Sequence, residues 1–188
     1  MSALDHSLPY IKLIHNVLTP EECAALIVRI DELEPELATV NTIDGPRINT
    51  KHRNNERVIF DDNELAKLVV ERSGEDIPGT FLDWEFAGAN ERFRCYRYQA
   101  GMRFKAHGDG SFERNFFERS FYSFLVYLND DFEGGETNFF VNPDVSVKPE
   151  TGVALMFQHP LLHEGAEVTS GVKYVARTDL MYRRRGIS

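Results

Sequence analysis

Cysteine is scarce in this chain, with two in 188 residues. Cys23 and Cys95 cannot form a disulfide framework of the kind that holds small secreted domains, so a reducing, cytoplasmic setting is expected. Positive charge is also short: 21 Lys and Arg stand against 30 Asp and Glu, for a formal net charge of −9. A protein that tracks phosphates usually shows a basic face, so this balance argues against a nucleic-acid partner. No apolar run approaches membrane-spanning length, which argues against a membrane role. Residues Met1 to His6 carry neither a basic start nor an apolar stretch, and no signal peptide is expected from them. Internal repeats and low-complexity blocks are absent as well. What is present is the composition of a soluble globular protein, 42% hydrophobic and 27% charged, at a length that suits a single domain over 1–188.

The pattern along the chain changes once. Tyr10 to Ile14 read as a short strand. Thr19-Pro20-Glu21-Glu22 then reads as a helix start, with an N-cap, a proline at the first position and acids in the first turn. Cys23, Leu26, Ile27, Ile30 and Leu33 follow at helical spacing, and Pro35 ends the helix. Thr39 to Arg57 is polar and reads as a solvated loop, with a flap over a substrate as the sharper alternative. Val58 to Phe60 reads as a strand. Asp62 caps a second helix with Leu65, Leu68 and Val69 inward and Ser73-Gly74 at its end.

From Trp84 onward the segments are strand-like. They are Arg92 to Gln99, Phe104 to Asp109, Phe121 to Leu128, Thr137 to Val141, Gly152 to Phe157 and Gly171 to Arg183. Gly110 to Ser120 reads as a charged loop carrying Phe112, Phe116 and Phe117; Asn142 to Thr151 reads as a loop with Pro143 and Pro149. Helices first and many short strands after them predict a mainly β fold with flanking α-helices. The expected split is helical support over about 1–90 and a β core over about 91–185, with the N-terminal helices packed on one sheet.

The chemistry concentrates at His107-Gly108-Asp109. Side chains alternate along a strand, so His107 and Asp109 point to one face. With His163, they make two histidines and one carboxylate, the facial set that holds non-haem Fe(II) and leaves coordination positions open. His6, His15, His52 and His159 are assigned to packing or surface roles. A helical zinc pair from His159 and His163 is the competing metal reading, and Pro160 opposes it.

The last strand adds an independent argument. Lys173, Val175, Arg177, Asp179 and Met181 share one face, and Val172, Tyr174, Ala176, Thr178, Leu180 and Tyr182 share the other. The second set would pack under the helices. The first turns two cations and a carboxylate inward, where burial demands partners. A bound anionic cosubstrate would be one. Lys173 and Arg177 lie about 13 Å apart on an extended strand, so only one can hold a given carboxylate; the other can pair with Asp179.

Taken together, these residues resemble the Fe(II)/2-oxoglutarate-dependent dioxygenases, and within them the prolyl 4-hydroxylase-like group. The likeness covers 92–183. It is carried by Tyr98 and Gly101 ahead of His107-Gly108-Asp109, by Tyr127-Leu128-Asn129 running into Gly134-Gly135-Glu136-Thr137-Asn138-Phe139, and by His163-Glu164-Gly165 with Lys173 after it. The resemblance implies a double-stranded β-helix, or jelly roll, with iron held by His107, Asp109 and His163. It implies that Lys173 pairs with the distal carboxylate of 2-oxoglutarate, that Tyr98 hydrogen-bonds the cosubstrate and that Tyr127 lines its pocket. Both tyrosines also fit as barrel filling. Arg177 has no counterpart in that pattern and is kept as the second candidate for the carboxylate.

The implied cofactors are Fe(II), 2-oxoglutarate and O2, with ascorbate as an optional addition. The implied substrate is a prolyl residue in a peptide; a free amino acid or another small metabolite is the alternative. Arg53, Asn54, Arg114 and Arg119 are residues that a polar or anionic substrate can meet, although each is also an ordinary exposed loop residue. Three rivals stand beside this reading. An AlkB-like nucleic-acid demethylase is opposed by the acidic balance. A cupin-type metalloenzyme would leave Lys173 without a task. A catalytically silent jelly-roll binding module is opposed by the intact triad.

Overall fold

The computed structural model describes residues 8–42 and 45–186. The main strands are β1 (Ile11–Ile14), β2 (Glu56–Asp61), β3 (Trp84–Ala89), β4 (Arg92–Gln99), β5 (Phe104–His107) and β6 (Glu118–Tyr127). They continue with β7 (Thr137–Phe139), β8 (Val145–Val147), β9 (Ala154–Gln158), β10 (His163–Gly165) and β11 (Val172–Arg184). The two longer helices are α1 (Pro20–Glu32) and α2 (Asn63–Ser73). His6 lies outside the described residues.

The strands form two antiparallel sheets of a jelly roll. The larger runs β1-β9-β6-β11-β4-β2, with β3 pairing the second half of β11. The smaller runs β8-β7-β10-β5. Strand β11 is the spine, since β6 flanks it on one side and β4, then β3, on the other. Its alternation divides two cores, as the sequence predicts. Ala176, Leu180 and Tyr182 join the cluster that holds Cys23, Leu26 and Ile30 of α1 and Ala66 and Val69 of α2. Val175 joins the cluster between the sheets, with Tyr98, Tyr127, Phe139, Leu155 and Phe157.

Local chemistry sets the helices. Thr19 accepts from the Glu22 amide at 3.2 Å, and the Glu22 carboxylate accepts from the Thr19 amide at 2.8 Å, a reciprocal capping box. Burying Ile30, which is 0% exposed, is worth about 2 kcal/mol. Leu33 does not extend that stripe; it is the C-cap and stays exposed. Asp62 caps α2 by accepting from the Leu65 amide at 2.9 Å.

Three segments read as loops carry strand structure. Within Thr39–Arg57, Val40–Thr42 pairs with Gly45–Arg47, and β2 begins at Glu56. Glu113–Asn115 pairs back onto the start of β6, so Gly110–Ser120 is largely a hairpin, with Phe116 at 75% exposure near its tip. Asn142–Thr151 contains β8. Glu113–Asn115 is polar and exposed throughout, so no apolar alternation marks it, whereas β8 is a short Val-Ser-Val strand whose Val147 is buried in the core between the sheets. Among the described residues, no helix is long and apolar enough to cross a membrane.

Candidate active site

His107 ends β5 and His163 opens β10, and the antiparallel register sets them directly opposite one another. Each ring is oriented by its own strand. The Nδ1–H of His107 donates to the Lys105 carbonyl at 2.7 Å, and that of His163 to the Leu161 carbonyl at 2.8 Å. A carbonyl can only accept, so both Nδ1 atoms carry the proton and both Nε2 atoms keep a free lone pair. These lone pairs face Asp109. His107 Nε2 is 3.8 Å from one carboxylate oxygen and His163 Nε2 is 3.8 Å from the other. Asp109 lies just past the end of β5, rather than within the strand, and its amide donates to the His159 carbonyl at 2.8 Å.

The three donor atoms lie within 4.8 Å of one another. Burial pushes the His107 pKa down to about 4, with His163 acting in the same direction; burial also lowers the His163 pKa. Burial opposes the Asp109 charge, but Arg177, His163 and the Ser123 hydrogen bond outweigh it and hold the carboxyl well below its usual range. Two neutral imidazoles and an ionised carboxylate are the protonation states a divalent first-row metal requires, and their donors converge. The residues present therefore fit Fe(II).

A directional chain of hydrogen bonds supports Asp109. The Phe112 amide donates to Ser120 Oγ at 2.8 Å, and Ser120 lies 2.7 Å from His159 Nε2. His159 Nδ1 lies 3.0 Å from Ser123 Oγ, and Ser123 donates to Asp109 Oδ2 at 2.5 Å. Ser123 spends its one proton on the carboxylate, so His159 Nδ1–H must donate to it and Nε2 must accept from Ser120. The Arg177 guanidinium fills the other acceptor position of Ser123 at 3.1 Å and reaches Asp109 at 3.2 Å. His159 was assigned a packing role from sequence, and it is part of this support. The only trace of that in the chain is Ser120 and Ser123 three apart on a strand buried on both faces, where hydroxyls need partners. The helical zinc pair fails because β9 stops at Gln158 and β10 starts at His163, with no helix between them.

Lys173 lies across the same cavity. Antiparallel register sets it opposite Tyr98, and its ammonium is 5.4 Å from the ring centres of both Tyr98 and Tyr127. It donates to the Gly135 carbonyl at 2.6 Å. Gly135 has φ +70°, and a Cβ there would stand 3.2 Å from Lys173 Cδ and 3.0 Å from the Phe132 ring, so only glycine lets the chain pass this close. Among the described residues, no carboxylate forms an ion pair with Lys173. Burial pushes its pKa down to about 7, with the Glu136 charge opposing. Tyr98, Leu125, Thr137 and Val175 line the cavity between this ammonium and the triad. The Tyr127 hydroxyl is 2.7 Å from Thr137 Oγ1, and its ring is part of the core between the sheets.

Arg177 takes a different place. It bridges Asp109 at 3.2 Å and Asp179 at 3.1 Å, and Asp179 also accepts from Arg94 at 2.9 Å. Outside it, a cleft of about 410 Å³ opens over the triad, bordered by Thr39, His52, Arg53, Arg57, Arg94 and Phe112. Of the four loop residues considered for substrate contact, only Arg53 faces this cleft. Asn54 ties down the Gly101 carbonyl and the Arg103 amide. Arg114 pairs with Glu91 and Glu118, and Arg119 pairs with Glu113.

Known proteins match this arrangement. A model of the 2OG-Fe(II) oxygenase superfamily matches residues 93–178. Prolyl 4-hydroxylase 1 of Arabidopsis thaliana is 27% identical over 197 residues, spanning 89% of this chain and 67% of its own. The structure of a viral collagen prolyl hydroxylase from Paramecium Bursaria Chlorella virus-1, in its 2OG complex, superposes with a TM-score of 0.65 at 21% identity. It covers 93% of this chain and 96% of its own. A prolyl hydroxylase from Trichoplax adhaerens, solved with a hypoxia inducible factor peptide fragment, gives a TM-score of 0.67 at 14% identity, covering 90% of this chain and 82% of its own. Sequence and fold agree: residues 93–178 carry the 2OG-Fe(II) oxygenase domain, the chain is similar to prolyl hydroxylases over nearly its whole length, and together these indicate a 2-oxoglutarate-dependent dioxygenase that uses Fe(II), 2-oxoglutarate and O2.

Proposed function

We propose that this protein hydroxylates a prolyl residue presented in a peptide or protein, with His107, Asp109 and His163 holding Fe(II) and Lys173 seating 2-oxoglutarate. One observation carries the reading: a buried ammonium with no ion-paired acid among the described residues shares a cavity with three converging donor atoms. A dicarboxylate satisfies both ends. One carboxylate gives Lys173 the counter-charge that burial demands, and the 2-oxoacid end meets the metal.

When bound, Fe(II) lets 2-oxoglutarate supply electrons to O2, so that one oxygen atom enters a substrate C–H bond and the other enters succinate as CO2 is lost. The residues of this chain prepare that event. The strand carbonyls of Lys105 and Leu161 hold both imidazoles with Nε2 toward the metal. Ser123 and Arg177 hold Asp109 ionised and aimed. The rings of Tyr98 and Tyr127 keep water from the Lys173 ammonium, which the Gly135 carbonyl already holds in position. Arg177 serves Asp109 in this reading, and the cosubstrate carboxylate goes to Lys173.

A peptide substrate is supported by the likeness to Arabidopsis prolyl 4-hydroxylase 1 over 89% of this chain and by the open cleft above the triad. The test is incubation of the full chain with Fe(II), 2-oxoglutarate, O2 and proline-containing peptides. Mass spectrometry should find one added oxygen on proline, matched by succinate. Succinate release with no oxidised peptide, but with an oxidised free amino acid, would move the substrate class to small metabolites.

A further inference from the structure

The outer cleft carries more positive charge than its own acids neutralise. Arg53, Arg57, Arg94 and Arg177 line it, and Asp109 and Asp179 are the carboxylates among them. Arg177 and Arg94 account for both acids. Arg53 and Arg57 have no acid partner among the described residues. Arg53 is only 6% exposed; its Nε donates to Asn55 at 2.8 Å, its guanidinium lies over the rings of Phe104 and Tyr96, and one terminal nitrogen has no hydrogen-bond partner. Arg57 is half-buried and donates to Thr39 Oγ1 at 3.2 Å. Burial lowers its pKa, and repulsion from Arg53 and Arg94 adds to this.

A surface arginine needs no partner, but a guanidinium buried this deeply with an orphaned donor does. The surplus is local, because the chain as a whole carries −9. Bound Fe(II) would add to it, and a 2-oxoglutarate dianion is already matched by the metal and Lys173. A fork of guanidinium donors is the group that recognises a carboxylate in two-point fashion.

We propose that Arg53 and Arg57 form a carboxylate-binding subsite for the substrate, so that the oxidised residue is flanked by an acidic side chain or by a chain-terminal carboxylate. This rests on the prolyl reading for the carbon oxidised, but not for the charge beside it.

The test compares end-capped Gly-Glu-Pro-Glu-Gly with its glutamine counterpart, and Gly-Gln-Pro ending in a free carboxylate with its amide. Binding to the full chain is followed by ligand-observed NMR, with Zn(II) and 2-oxoglutarate present so that nothing turns over. At least one acid-bearing peptide should bind about tenfold more tightly than its neutral partner, equivalent to about 1.4 kcal/mol. The pair that discriminates identifies the source of the carboxylate. Arg57→Gln and Arg53→Gln should each remove most of that preference while leaving the neutral peptides unchanged, and Arg57→Lys should keep part of it. Raising salt from about 0.05 to 0.5 M should narrow the gap. Equal binding of acidic and neutral peptides, or a preference that survives Arg57→Gln, would overturn the subsite. Arg57→Gln alone decides the matter if Arg53→Gln unfolds. An acidic peptide that binds through Arg57 but gains no oxygen on proline with Fe(II) and O2 sinks the prolyl reading and leaves the subsite standing.

Discussion

His107 and His163 face each other across adjacent antiparallel strands with ring centres 4.4 Å apart. Sheet geometry therefore sets the separation of two imidazoles that could hold a metal ion, and no loop has to fold to bring the two together. Donors carried on strands and oriented by their own carbonyls are in place without any metal.

The carboxylate completes that site, so Asp109→Ala should abolish it. Metal titration should show Fe(II) affinity falling by more than the ~10–100-fold typical of losing a supporting residue, and succinate release should cease. The fold should survive, because Asp109 sits at a cavity edge rather than in either core. Full activity in this variant would remove the triad from the mechanism.

Ser123→Ala tests the support behind Asp109. It strips one hydrogen bond from the carboxylate and leaves His159 Nδ1–H without an acceptor. A drop of about 10–100-fold in metal affinity is expected, with the KM for 2-oxoglutarate nearly unchanged at saturating iron. A change in KM alone would assign Ser123 to the cosubstrate side instead.

How much of this was legible in the residues varies by element. Thr19-Pro20 and the face alternation of Val172–Arg184 are local signals, and both appear in the fold as read. The convergence of His107, Asp109 and His163 is legible because the first two stand two residues apart and the motif around His163 is distinctive. His159 was not legible: its partners Ser120 and Ser123 lie 39 and 36 residues away and meet it only through the register of β6 against β9. Arg53 reads as an exposed loop residue that an anionic substrate can meet, and its burial escaped for a similar reason. It sits in a polar stretch that looks solvated, and a single bridge between Arg53 and Phe104 draws it under the barrel rim. Pairing across the sheet carries information that no window of sequence contains.

Gly135→Ala should weaken both fold and cosubstrate binding. A Cβ at φ +70° is strained and would press on Phe132, Val168 and Lys173. The cost is on the order of 1–3 kcal/mol, seen as a lower Tm. Displacing Lys173 should also raise the KM for 2-oxoglutarate, and saturating 2-oxoglutarate should restore part of the Tm loss through binding. A variant with wild-type KM and Tm would show that the close approach over Lys173 is relaxed in solution.

The strongest pH dependence should come from Lys173. Without cosubstrate, burial holds its pKa near 7, well below the ordinary 10.5. A seated carboxylate favours the ammonium, so the pKa in the complex lies higher. Between those two values, binding 2-oxoglutarate takes up a proton. Affinity should then fall as pH rises above about 7, by up to about tenfold per unit, and should be flat just below it. The KM for 2-oxoglutarate measured from pH 6 to about 9 reads this directly. Lys173→Arg keeps its charge over the whole range and should flatten the profile, whatever its absolute KM. Lys173→Ala should raise the KM far more than it weakens Fe(II) binding, because the ammonium contacts Gly135 and no metal ligand. If the wild-type KM holds constant from pH 7 to about 9 while Lys173→Ala leaves it unaltered, the carboxylate is held elsewhere, and Arg177 becomes the group to test.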